Sequence, residues 1–296
     1  MRNRNRFFAA VAFVTVMLAP SPARAWGFTG HRYIMGRAID LLPAPMKPFF
    51  ERYRAEMVVR AIDPDLWRNV GWEDDPNHFM DFGAREFGPP PFTAMPREYG
   101  AALGKFGEAA LKRLGMLPWR EAEMFGNLRR GFEGFARGGR YSPNDVALFA
   151  PVMGHYIQDA NQPLHASNNY DGQLTGNTGV HSRFEAELLE RYLARLTINP
   201  APPRSVTSAR DAAFDALIAA NRSVDTIIKA DSDAIAGRDA YDDVYFEKFF
   251  AVVKPILEKQ LAAAITDTAS LIISAWEQAG KPALALEGAR PVQKKK

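Results

Sequence analysis

The sequence predicts an all-α fold made of a single multi-helix domain. Long segments with apolar residues at helical spacing, rich in Ala, Leu, Glu, Lys and Arg, occupy most of the chain. No clear apolar–polar alternation of the kind a half-buried strand requires competes with them. The interruptions are rich in Pro and Gly, and no internal repeat recurs.

Residues 1–25, MRNRNRFFAAVAFVTVMLAPSPARA, stand apart from the rest. A basic start, an apolar run too short to cross a bilayer and the small-x-small end Ala23-Arg24-Ala25 predict a cleaved secretory signal peptide. The expected product is exported, to the periplasm or beyond, and starts at Trp26 as a 26–296 domain. Helices are then expected over 32–42, 101–114, 120–136, 143–160, 181–196, 208–230 and 241–279, with Pro255 kinking or dividing the last. Breaks fall at 83–96, 138–143 and 199–204. The stretches 63–96 and 166–179 are irregular, and each contains or adjoins a histidine, which matters because loops on a rigid scaffold often carry function. From about residue 285 a disordered tail is expected, ending in Lys294-Lys295-Lys296.

Charge narrows the classes. The whole chain has 37 basic and 34 acidic residues, and removing the four arginines of residues 1–25 leaves 33 against 34. A strongly basic nucleic-acid footprint is therefore absent. Zero cysteines exclude a disulfide framework. A chain of this length buries a sizeable core on its own, and nothing in it implies a protein partner or more than a monomer.

The chemistry lies in five histidines. In MGHYIQDANQPLHA, His155 and Asp159 are four apart in a helical segment and share a face, so they can grip one ion. That helix should stop near Pro163, with His165 at its end. HSRFEAEL then repeats the arrangement with His181 and Glu185. Imidazole and carboxylate ligands without thiolate suit zinc in a hydrolytic site. Upstream, His78 stands in DDPNHFMDF, and RAIDPD offers Asp63, with Asp65 as the alternative. His31 lies five residues after Trp26, whose amino and carbonyl groups would chelate an ion if cleavage frees that terminus. Singly, His31 reads as a helix-start residue, His78 as a loop histidine, Asp63 as a helix cap and Glu185 as a surface acid. Together they read as metal ligands.

The segment HYIQDANQPLHA followed by HSRFEAE resembles the zinc-dependent phospholipase C family of bacteria, and HRYIMGRAIDLLP with Trp26 resembles that superfamily's first helix. The single-strand-specific zinc nucleases and 3′-nucleotidases share its fold and ligand set. The resemblance spans residues 26 to about 196. It implies three zinc ions: one on Asp63, His78, His155 and Asp159, a second on His165, His181 and Glu185, and a third on Trp26 and His31 with Asp159 bridging. It also implies a zinc-activated hydroxide attacking a phosphoric ester, with Asp63 as a catalytic residue that orients the water. Glu185 and the short gap from His165 to His181 favour the phospholipase branch. The spacings Trp26–His31 and Asp63–His78 look more like the nuclease branch, in which Phe79 and Asp81 would bind a base. Pro64 and Asp75 stand where choline-preferring phospholipases carry aromatic residues. The expected substrate is a phospholipid, or alternatively a nucleotide or single-stranded nucleic acid. A non-catalytic zinc-stabilised binding domain is the remaining alternative.

Overall fold

The structure, a computed structural model, describes residues 26–286. The expected signal segment and residues 287–296 of the expected tail lie outside the described residues. Among the described residues there is no strand, and the chain forms one all-α, multi-helix domain. None of their helices is long and apolar enough to cross a membrane.

Helix α1 (Gly27–Asp40) starts earlier than its apolar pattern and ends before Pro43. Helix α2 (Lys47–Arg60) has no counterpart among the expected segments. Its buried stripe, Phe49, Phe50 and Met57, is blurred in sequence by Val59, which is 58% exposed on the other side. Pro48 sits in its first turn, where a missing N–H costs nothing. A short α3 (Asp63–Trp67) follows. The expected 101–114 helix is two, α4 (Tyr99–Phe106) and α5 (Glu108–Leu114), because Gly107 takes φ 77° between them. Next come α6 (Leu117–Ala136) and α7 (Ser142–Ala160).

The expected 181–196 helix is irregular. It opens as α8 (Val180–Ser182), widens into a π-turn over Arg183–Glu187, and resumes as α9 (Leu188–Tyr192). The expected 208–230 helix is also two, α10 (Ala209–Asn221) and α11 (Val224–Ile235). Helix α12 (Asp243–Gln278) starts where the Asp242 side chain accepts the Tyr245 N–H at 3.0 Å. It runs undivided through Pro255. That proline lies on the exposed face with Ala251 and Val252, where water can take the carbonyl that a missing N–H leaves over.

Helix α7 is the centre of the packing, touching α1, α2, α6, α10 and α12. Every residue from Ala150 to Ser167 is buried. A helix covered on all sides is expected to be apolar all round. Here His155, Gln158 and Asp159 interrupt it, and a group buried so deeply needs partners.

Candidate metal centre

Helices and turns packed around α7 bring the five histidines together with Asp159 and Glu185 in adjoining groups. Helix α1 brings His31, the 3-10 turn Asp75–His78 brings His78, and α7 brings His155 on the same face as Asp159. The turn Pro163–Ala166 brings His165, while α8 and the π-turn bring His181 and Glu185. Pro163 breaks α7, and the Gln162 side chain accepts the Leu164 N–H as it does so. Two of these pieces are laced together. His165 Nδ1 donates to the His78 carbonyl at 2.6 Å, Met80 N–H to the His165 carbonyl at 2.9 Å, and Asn168 N–H to the Phe82 carbonyl at 3.0 Å.

The imidazoles are oriented from behind. In each ring one nitrogen faces an oxygen that only accepts. His31 Nδ1 meets Gln158 Oε1 at 2.7 Å, His78 Nε2 meets Asp74 Oδ2 at 3.1 Å, and His155 Nδ1 meets the Ala61 carbonyl at 2.8 Å. His165 Nδ1 uses the His78 carbonyl, and His181 Nδ1 the Tyr170 carbonyl at 3.2 Å. These acceptors favour the proton on the outer nitrogen of a neutral ring, the tautomer in which the inner nitrogen offers a lone pair to an ion.

The inner nitrogens face one another and the carboxylates. His165 Nε2 and His181 Nε2 are 3.1 Å apart, with Glu185 Oε2 at 3.7 Å and 2.9 Å from them. His78 Nδ1 lies 3.1 Å from His155 Nε2 and 2.9 Å from Asp159 Oδ2. His31 Nε2 lies 3.3 Å from Asp159 Oδ1, and its ring stacks on His155 at 4.1 Å. His31 Nε2, Asp159 Oδ1 and Glu185 Oε1 are buried without a hydrogen-bond partner. Lone pairs set against lone pairs and carboxylates, out of water, fit a cation. Three groups have ligand atoms within 4.8 Å of one another: His31, His155 and Asp159; Asp65, His78 and His155; and His165, His181 and Glu185.

Electrostatics agree. Burial disfavours charge on Asp159, yet His155 and His165 hold its carboxyl well below the usual range. Burial likewise opposes charge on His155, but Asp159 and Asp65 raise it to about 9. Raised histidines beside a lowered carboxylate are groups that would give up protons on taking a cation. Asp74 is buried as well, and its bonds from His78, Tyr156 and Asn77 bring it down to about 2.

Asp65, not Asp63, reaches the histidines, with Oδ1 4.0 Å from His155 Nε2. Asp63 opens α3 and turns back to the end of α2, where Arg60 Nη1 lies 3.4 Å from its Oδ2. Two residues on, the helical turn carries Asp65 inward. Trp26 is wholly buried, donates Nε1–H to the Gln158 carbonyl at 2.8 Å, and accepts the Gly30 N–H at 3.2 Å. It thus sits one turn before His31, while the cleavage that would free its amino group lies outside the described residues. Phe79 is half-buried next to His78. Asp81 is pinned through its N–H to the Leu114 carbonyl at 2.8 Å, and burial pushes its carboxyl up to about 7 against the pull of Arg113 and His165.

Three supporting residues were missed as such. Asp74 lies four before His78 and also accepts from Tyr156 at 2.7 Å and Arg120 at 3.2 Å, and that spacing was its only signal. Gln158 and Gln162, flanking Asp159, contact His31 and Glu185. No protein-family model and no curated protein matches this chain.

Proposed function

We propose that this chain is an exported zinc-dependent phosphoesterase, and that it acts as a phospholipase C-like phosphodiesterase with three zinc ions. One observation carries the reading: five imidazoles, each oriented by an oxygen behind its ring, turn their other nitrogens toward Asp65, Asp159 and Glu185 in adjoining buried groups. Asp65 takes the place expected of Asp63, which is held at Arg60. When bound, zinc supplies positive charge to the oxygens of an anionic ester and lowers the pKa of a water. The chain's part is to aim the imidazoles and keep them away from bulk water. Asp159, facing His31, His78 and His155 together, would help hold an ion there and offset its charge.

The lipid reading gains support from a groove of about 780 Å³ that starts at Ser167 and Asn168, just past His165. Its walls include Phe82, Pro91, Phe92, Ile218 and Val224, which suit an apolar leaving group. The nuclease reading draws on Phe79, half-exposed next to His78 with Asp81 nearby. The test is hydrolysis of phosphatidylcholine, phosphatidylethanolamine and single-stranded DNA by zinc-loaded protein starting at Trp26, with and without chelator. Chelator-sensitive release of diacylglycerol is expected. Release of nucleotides instead would move the assignment to the nuclease branch. Loss of fold on chelation with no turnover of any substrate would leave a zinc-stabilised binding domain.

A further inference from the structure

Between the ligands His181 and Glu185 lies a residue that touches neither. Arg183 is buried, and each of its three side-chain nitrogens is engaged. Nε donates to Asp231 Oδ1 at 3.0 Å, Nη1 to the Thr178 carbonyl at 3.0 Å, and Nη2 to the Asn177 carbonyl at 3.0 Å and Asp231 Oδ2 at 3.1 Å. Its guanidinium lies 4.0 Å from the centre of the Tyr241 ring. Asp231 also accepts from Tyr245 and, at 2.7 Å, from Asn177.

We infer that Arg183 and Asp231 form a positioning clamp that holds loop 170–179 and, through it, fixes the tautomer and aim of His181 toward a divalent cation shared with His165 and Glu185. This rests on the zinc reading above. The connection runs through named contacts. Asn177, gripped by Arg183 and Asp231, donates its N–H to the Gly172 carbonyl at 2.9 Å. Gly172 turns there with φ 72°, and a Cβ on it would sit 2.4 Å from Asn177 Cβ. The two residues before Gly172 are the ones that hold His181: Asp171 Oδ1 accepts its N–H at 3.4 Å and the Tyr170 carbonyl accepts its Nδ1–H. At the other end Gly179, with φ 87°, leaves room for the guanidinium, since a Cβ would lie 2.7 Å from Arg183 Nη1. A π-turn at this point puts Arg183 toward α11 while His181 and Glu185 face the cluster, in keeping with the frequent occurrence of such turns at functional sites.

The test compares Arg183→Lys, which keeps the charge but loses the fork, and Asp231→Asn with the unmodified protein. Phe132→Leu, in the contact between α2 and α6, serves as a core control. Two quantities are read: the His181 tautomer in zinc-free protein by nitrogen–proton NMR, and zinc affinity by competition titration. Unmodified protein should show one His181 tautomer, protonated at Nδ1. Both clamp variants should show a mixture and bind one zinc equivalent roughly 10–100-fold more weakly, whereas Phe132→Leu changes neither. If the clamp variants only melt earlier, as Phe132→Leu does, with tautomer and affinity intact, the clamp is structural and the inference falls. If the unmodified protein shows a single His181 tautomer but binds no zinc, the zinc reading falls, and this inference with it.

Discussion

At Arg183 a buried cation meets Asp231 and two backbone carbonyls, and Tyr245 and Asn177 complete the carboxylate's shell. Two residues further along the same π-turn, Glu185 keeps one oxygen without a partner and sets the other, which accepts from Gln162, against His165 Nε2 and His181 Nε2. Both clusters are buried and both rest on acids. The Arg183 cluster balances its charge and leaves over only Asn177 Oδ1. The histidine cluster leaves over His31 Nε2, Asp159 Oδ1 and Glu185 Oε1, and its inner nitrogens oppose one another. The contrast separates a polar cluster that folding completes from one that folding only prepares. Leaving buried polar groups unmatched is costly, so the histidine cluster should depend on something added from outside.

Zinc removal should give the largest effect. An ion at one hundred times its dissociation constant adds about 2.7 kcal/mol of stability, so three would add about 8 kcal/mol. Thermal melting with zinc and with chelator should differ strongly, and Glu185→Ala should lose about one zinc equivalent with most turnover. Equal melting under both conditions would mean that the cluster closes without metal. The Arg183 cluster supplies the next effect. Asp231→Ala leaves a buried cation unpaired and should cost about 3–5 kcal/mol in denaturant unfolding, whereas Arg183→Leu with Asp231→Leu should recover most of that loss. A double variant as unstable as the single one would show that the contacts to Asn177 and Thr178, and not the ion pair, hold the turn.

A pH experiment sharpens the comparison further. His155 goes from an ordinary value of 6.5 to about 9 in the folded protein, because Asp159 and Asp65 outweigh its burial. A raised histidine stabilises fully below its unfolded value, and the contribution is lost as pH rises through the folded one. Zinc-free protein should therefore lose up to about 3 kcal/mol between pH 6.5 and 9. His78 and His165, also raised, act in the same direction. Zinc-loaded protein should do the reverse, binding more tightly as protons leave the imidazoles. Parallel pH profiles for the two forms would remove the link between the cluster's protons and its metal.

The fold class and the pairs His155/Asp159 and His181/Glu185 were legible because helical spacing alone places residues four apart on one face. What sequence spacing does not carry is the direction of a short turn. Asp63 and Asp65 are equivalent in sequence, and only the entry angle from α2 into α3 decides which one faces His155. Three of the five oxygens behind the rings come from backbone at Ala61, His78 and Tyr170, whose side chains give no hint of the role. Helix α2 was hidden because Val59 placed an apolar residue on its wet side. Pro255 misled in the opposite sense, since a proline facing water breaks fewer bonds that matter than one facing the core.

The smallest effect concerns an acid next to the cluster that belongs to neither arrangement. Asp81 Oδ1 is buried without a partner, and burial lifts the carboxyl from 3.8 to about 7 although Arg113 and His165 pull the other way. The sign follows from linkage. Above pH 3.8 the unfolded chain releases this proton while the folded protein keeps it, so stability falls as pH rises toward 7 and then stays level. The side chain is partly open to solvent, which weakens the penalty, and one unmatched oxygen points to about 1–2 kcal/mol. Asp81→Asn should raise stability by that amount at pH 8 and by almost nothing at pH 4, read as two denaturant midpoints. A loss at pH 8 would mean that the ionised carboxylate has a partner of its own, and Asp81 would then belong with Asp65, Asp159 and Glu185 as an acid that the centre uses.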